Sequence, residues 1–87
     1  MEKLRQEIEK TDREIIKLLN KRFGIVKRIA DHKLKIGKSV RDSKREKELI
    51  QKYVSKNKDK KFITDLFKII INKSIKIQNE RHNSKIN

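Results

Sequence analysis

Arg22 stands where an apolar residue belongs. Ile8, Ile15, Ile29 and Ile36 recur at intervals of seven, and Arg22 fills the gap in that series. A guanidinium in a helix seam is costly unless an anionic group meets it. Lys33 follows eleven residues later, about 20° away around an α-helix. Arg22, Val26, Ile29 and Lys33 therefore form one stripe with a cation at each end, ~16 Å apart along the axis. Ser74 and Gln78 repeat the device: they lie one turn apart among Phe67, Ile70, Ile71, Ile75 and Ile77. Asp42, Arg45 and Glu46 add polar groups just ahead of Leu49. Such a set describes a cavity with apolar walls and cationic contacts, which suits a small polyanion. Each residue also has an ordinary reading. A seam arginine often pairs with a buried glutamate or snorkels outward. Ser74 can be a small packing residue, Gln78 a surface amide, and Arg45 and Glu46 a charged first turn. Their co-occurrence is what points to a site.

Three helices would carry these groups. The apolar residues from Leu4 to Ile36 keep a 3-4 spacing, with Leu4, Leu18 and Ile25 as the second register. That pattern marks one long helix over about 4–36 with an apolar seam. Its length would be nearly 50 Å at ~1.5 Å per residue. Gly37 suits a left-handed C-cap. Asp42 is an N-cap candidate for a second helix to about residue 54, with Leu49, Ile50, Tyr53 and Val54 as its apolar face. The run at 55–60 breaks the pattern, and Asp59 is placed to cap a third helix over about 60–81. Ile63, Leu66, Phe67, Ile70, Ile71, Ile75 and Ile77 give that helix a broad apolar face. Residues 82–87 read as a frayed tail. Two short helices cannot cover the seam of a helix this long. The simplest solution is all-α and homodimeric, with the long helices of two chains packed together and the shorter ones crossing over.

Composition agrees with that architecture. The 87 residues allow one domain, 1–87. The chain has no proline and two glycines, which disfavours a turn-rich β fold. Only 33% of residues are hydrophobic and 44% are charged, so a lone chain would be marginal. With no cysteine there is no disulfide or thiolate metal site to compensate, and oligomerisation is the usual remedy. The longest apolar run, Ile69-Ile70-Ile71, is far too short to cross a membrane. The N-terminus lacks the apolar stretch of a signal peptide, so the expectation is a cytoplasmic protein. The net charge of +14 attracts anions of every kind, and most of the 26 basic residues serve as solvated helix faces.

The series Arg5, Asp12, Arg22, Lys33, Val40-Arg41-Asp42, Arg45-Glu46, Ser74 and Gln78 resembles the all-helical chorismate mutases. The resemblance runs from about Leu4 to Gln78. It is closest in VRDSKREKELI and in FITDLFKIIINKSIKIQ; the departure is a shorter connector between the second and third helices. It implies an intertwined homodimer of three-helix chains that converts chorismate to prephenate, in the shikimate pathway toward phenylalanine and tyrosine, without cofactor or metal. Carried across position by position, it makes Arg22 the grip on one substrate carboxylate and Arg5 of the partner chain the grip on the other. Lys33 and Gln78 would hydrogen-bond the ether oxygen of the breaking bond. Glu46 would hold the ring hydroxyl, Ser74 would assist a carboxylate, and Asp42 and Arg45 would complete the polar shell. Ile29, Leu49, Ile71 and Ile75 match apolar wall positions. Arg5 precedes Arg22 by 17 residues, or ~25 Å of helix. Only a second chain can bring it to a small molecule held between Arg22 and Lys33.

The implied reaction is pericyclic: one C–O bond breaks as one C–C bond forms, with no nucleophile or proton transfer. A chain without cysteine or a glycine-rich phosphate loop is adequate for it. Three other readings compete. A pyruvate lyase acting on isochorismate can use the same scaffold, although Arg45-Glu46 and Ser74 resemble the mutase more. A basic nucleic-acid-binding protein would fit the charge. Against it stand only four aromatic residues and no recognisable nucleic-acid motif, so no nucleic-acid or membrane partner is expected. A structural coiled-coil adaptor would gain stability from Arg22→Leu, and only an activity assay separates it from the enzyme.

Overall fold

The computed structural model describes residues 1–86. The order is α1 (Glu2–Lys35), α2 (Ser43–Val54) and α3 (Lys60–Ile86). The molecule measures 52 × 28 × 14 Å, its long dimension set by α1. Among the described residues there is no strand, and no helix is long and apolar enough to cross a membrane.

Local chemistry sets each joint. Gly37 takes φ +72°, where a side chain would be strained. Around it the Lys38 N–H donates to the Lys33 carbonyl at 2.9 Å and the Gly37 N–H to that of Leu34 at 3.3 Å. That pair of bonds is a Schellman ending, which satisfies the last carbonyls of α1. At the start of α2 the Asp42 carboxylate accepts from the Arg45 N–H at 3.1 Å. Asp59 does the same for the Phe62 N–H at 3.2 Å at the start of α3. Both aspartates thus occupy the capping positions that their sequence context suggested.

α3 packs against both α1 and α2. Val26 and Ala30 of α1 and Ile70 and Ile71 of α3 are the buried apolar residues of the core. Tyr53 and Phe67 join α2 to α3 with ring centroids 4.8 Å apart. This core is small for a chain of 87 residues. The α1 seam stays uncovered: Leu4, Ile8, Ile15, Leu18, Ile25, Ile29 and Ile36 are all exposed. On α3, Phe62, Leu66 and Ile69 are exposed as well. α3 carries apolar groups on more than one side, and a single chain buries only one of them.

The end of α3 differs from the frayed tail expected after Arg81. Helix continues through Ile86, and Asn87 lies outside the described residues. The reason is a polar clamp onto α1. Arg81 donates to both oxygens of Asp31, from Nε at 2.9 Å and Nη2 at 3.0 Å. Lys85 Nζ lies 3.7 Å from the same carboxylate. His82 Nε2 donates to the Ala30 carbonyl oxygen at 2.6 Å. These partners are 50 or more residues apart in sequence, so no local pattern announces them.

Hydrogen bonding from Arg81, aided by the charges of Arg81 and Lys85, holds the Asp31 carboxyl below its ordinary range. A depressed carboxyl stabilises the fold above its unfolded pKa, and the contribution disappears as pH falls through the folded value. Asp31→Asn should therefore lower the thermal midpoint at pH 7. The gap to the unaltered chain should close below about pH 4, as followed by circular dichroism melts across pH.

Candidate functional site

A cleft of about 320 Å³ opens between the C-terminal half of α1, the start of α2 and the middle of α3. That volume is at the lower end of small-molecule sites, which run from roughly 300 to 1,000 Å³. Arg22, Lys33, Asp42, Arg45, Glu46, Ser74 and Gln78 all line it, so seven of the polar residues singled out in the sequence meet in one place. Ile29, Leu49, Ile71 and Ile75 form apolar wall, joined by Val26 and Val40. Arg5 does not line the cleft; it is exposed in the second turn of α1.

The cations are held by neutral partners. Arg22 Nη1 donates to Ser74 Oγ at 2.6 Å, and Ser74 Oγ donates to the Ile70 carbonyl at 2.8 Å. Ser74 is buried at 4% exposure, so it acts as a polar rest for the guanidinium rather than as filler. Lys33 Nζ donates to the Val40 carbonyl at 2.6 Å. Among the described residues no carboxylate lies within ion-pair distance of Arg22 or Lys33. The buried-glutamate reading of a seam arginine therefore does not apply. Both charges remain available to an anion, in surroundings where water competes less.

Glu46 is placed differently. Its Oε1 accepts from Arg41 Nη2 at 3.2 Å, and its Oε2 accepts from the Asp42 N–H at 3.2 Å. With the Asp42 carboxylate capping Arg45 in return, residues 42–46 form a reciprocal box at the start of α2. This box fixes Glu46 at the cleft wall with its charge answered by Arg41, which leaves the cleft cationic. Gln78 sits in the wall without such anchoring. It is 6% exposed, and its Oε1 has no hydrogen-bond partner. A buried, unpaired amide oxygen costs about 1–3 kcal/mol. In a cleft wall it marks a place where a ligand or water completes the bonding.

Val40 and Arg41 lie inside a segment that the sequence singled out, yet their tasks were not legible there. Val40 acts through its backbone, which no side-chain pattern reports. Arg41 acts through Glu46, five residues on. Among the described residues no three His, Asp or Glu side chains converge as metal ligands would.

The family model for chorismate mutase type II matches residues 4–79. The chain belongs to that family. Among curated relatives, the bifunctional chorismate mutase/prephenate dehydratase of Buchnera aphidicola subsp. Acyrthosiphon pisum (strain APS) is 37% identical over 78 residues. The alignment covers 85% of this chain and 20% of that protein. The protein of the same name from Buchnera aphidicola subsp. Schizaphis graminum (strain Sg) is 38% identical with the same coverage. A third of that name, from Aquifex aeolicus (strain VF5), is 37% identical over 59 residues, or 68% of this chain and 16% of its own length. The chain thus spans about a fifth of the length of the curated relatives it matches. No solved structure matches significantly. Membership of an all-helical family accords with the three helices seen here.

Proposed function

We propose that this chain is a chorismate mutase, working as a homodimer that rearranges chorismate to prephenate by electrostatic and conformational control. The observation that carries the reading is the cleft itself: Arg22 and Lys33, neither ion-paired, share an apolar-walled space with the side chain of Gln78. The relatives' name joins two activities, and the cleft supports the first.

In this reading the substrate is a flexible dicarboxylate that must adopt a compact chair. Arg22, steadied by Ser74, grips one carboxylate. Arg5 of the partner chain grips the other, because α1 of one chain is too long to place its own Arg5 there. Holding both ends in the reactive geometry supplies several kcal/mol of the barrier reduction. As the C–O bond breaks, negative charge gathers on the ether oxygen. Lys33 and Gln78 meet that charge with donors already in place, so they stabilise the transition state more than the bound substrate. Glu46, fixed by Arg41 and the Asp42 N–H, accepts from the ring hydroxyl. Arg45 and Asp42 close the polar shell, and Ile29, Leu49, Ile71 and Ile75 exclude water.

The homodimer rests on the uncovered α1 seam. Six exposed apolar residues along α1, continued by Ile36 just past its end, form a stripe of the kind that a second copy covers. The cytoplasm is the compartment assigned in this reading.

A spectrophotometric chorismate-depletion assay on the purified chain tests the proposal, with prephenate as the expected product. Arg22→Ala and Lys33→Ala should each stay helical and lose ~100-fold or more in turnover. Near-normal rates in either would refute the role given to that residue. Gln78→Glu probes the ether contact by pH. The protonated acid donates and the carboxylate repels, so activity should rise as pH falls; a pH profile matching the unaltered chain would contradict the contact. Subunit mixing tests the shared site. Arg5→Ala and Lys33→Ala chains are each expected to be inactive alone. Mixed and refolded together they should regain about a quarter of full activity, since half the dimers are hybrids with one intact site. Full activity of Arg5→Ala alone would place Arg5 outside the site, and no recovery on mixing two inactive chains would overturn its contribution in trans.

A further inference from the structure

We infer that Arg81 and Asp31 are positioning residues for the reaction, setting the distance between the two donors that face the breaking bond; the inference rests on the mutase reading above. Lys33 and Gln78 come from different helices. Their relative placement therefore depends on how α3 is seated on α1. Burial of apolar groups such as Val26, Ala30, Ile70 and Ile71 is non-directional and sets axial register less sharply. A bidentate guanidinium–carboxylate pair sets it more sharply, because both N–H···O bonds must keep length and angle together.

The pair sits where its directionality counts. Asp31 is two residues before Lys33 on α1, and Arg81 is three residues after Gln78 on α3. Arg81 holds both Asp31 oxygens at 2.9 and 3.0 Å, and His82 adds its bond to the Ala30 carbonyl at 2.6 Å. The clamp therefore lies one turn from the donors and outside the cleft wall, where neither residue touches substrate. Ala30, fully buried, lets the two helices approach closely at this level. Arg22 and Ser74 are tied across the same two helices by their own bond at 2.6 Å, which keeps the carboxylate grip when the clamp is lost. A slip of about 1 Å between reacting groups and their catalysts can cost up to ~100-fold in rate. Loss of the clamp should fall on the chemical step and spare binding.

The test measures kcat and KM for Arg81→Gln and Asp31→Asn in the full chain, alone and combined with Gln78→Ala. Each single change should lower kcat by about tenfold with KM within about twofold, while helicity at the assay temperature is unchanged. In the Gln78→Ala background the same change should lower kcat no further, because the donor it aligns is gone. Unaltered kcat in the single variants would overturn the inference. So would a tenfold loss that persists without Gln78, which is the signature of a purely architectural role. Should either substitution unfold the chain, Arg81→Lys keeps the charge with one donor group and is read by the same criteria. Absence of chorismate turnover in the unaltered chain would sink the mutase reading and this inference together. An active unaltered chain with insensitive variants sinks the clamp alone.

Discussion

The structure depends on keeping positive charge in an apolar groove without an acidic side chain to neutralise it. Arg22 rests on the hydroxyl of Ser74, and Lys33 rests on the carbonyl of Val40. Each is a neutral acceptor that satisfies geometry and leaves charge uncompensated. A glutamate in either place would make a more ordinary seam and would occupy the cleft electrostatically. The cost is met by surroundings that keep each cation hydrogen-bonded. Ser74 is buried on α3 and tied to the Ile70 carbonyl, while Val40 is brought to Lys33 by the glycine-capped turn that ends α1. The three helices serve to bring these acceptors under the two cations.

This organisation explains why much of the cleft could be read from the sequence. Arg22 is conspicuous because it interrupts a heptad series, and Ser74 and Gln78 because they interrupt a run rich in isoleucine. Polar residues in apolar registers are a sequence-level signal whose meaning is fixed by helical periodicity alone. Asp42, Gly37 and Asp59 are legible for a similar reason, since caps act within one turn of the chain.

What could not be read depends on backbone atoms or on long-range pairing. The carbonyl of Val40 has no type to recognise. Arg81 and Asp31 each look like ordinary surface charges in a chain where 44% of residues are charged. Only the packing of α3 on α1 reveals that they meet, and with them the reason α3 remains helical through Ile86. The expectation of a frayed tail rests on its terminal position, where chains are poorly ordered unless tied down. Polar contacts with α1 supply the anchoring there instead.

The bond from Lys33 to Val40 carries one more implication. An ammonium satisfied by a main-chain carbonyl of the following linker cannot leave it without consequence. Any molecule that draws the amine away exposes an acceptor that must be met by water or by a donor on the newcomer. An ammonium has three N–H donors, however, so Lys33 can keep the Val40 carbonyl and still offer two to an anion; the turn joining α1 to α2 tethers the cation without using it up.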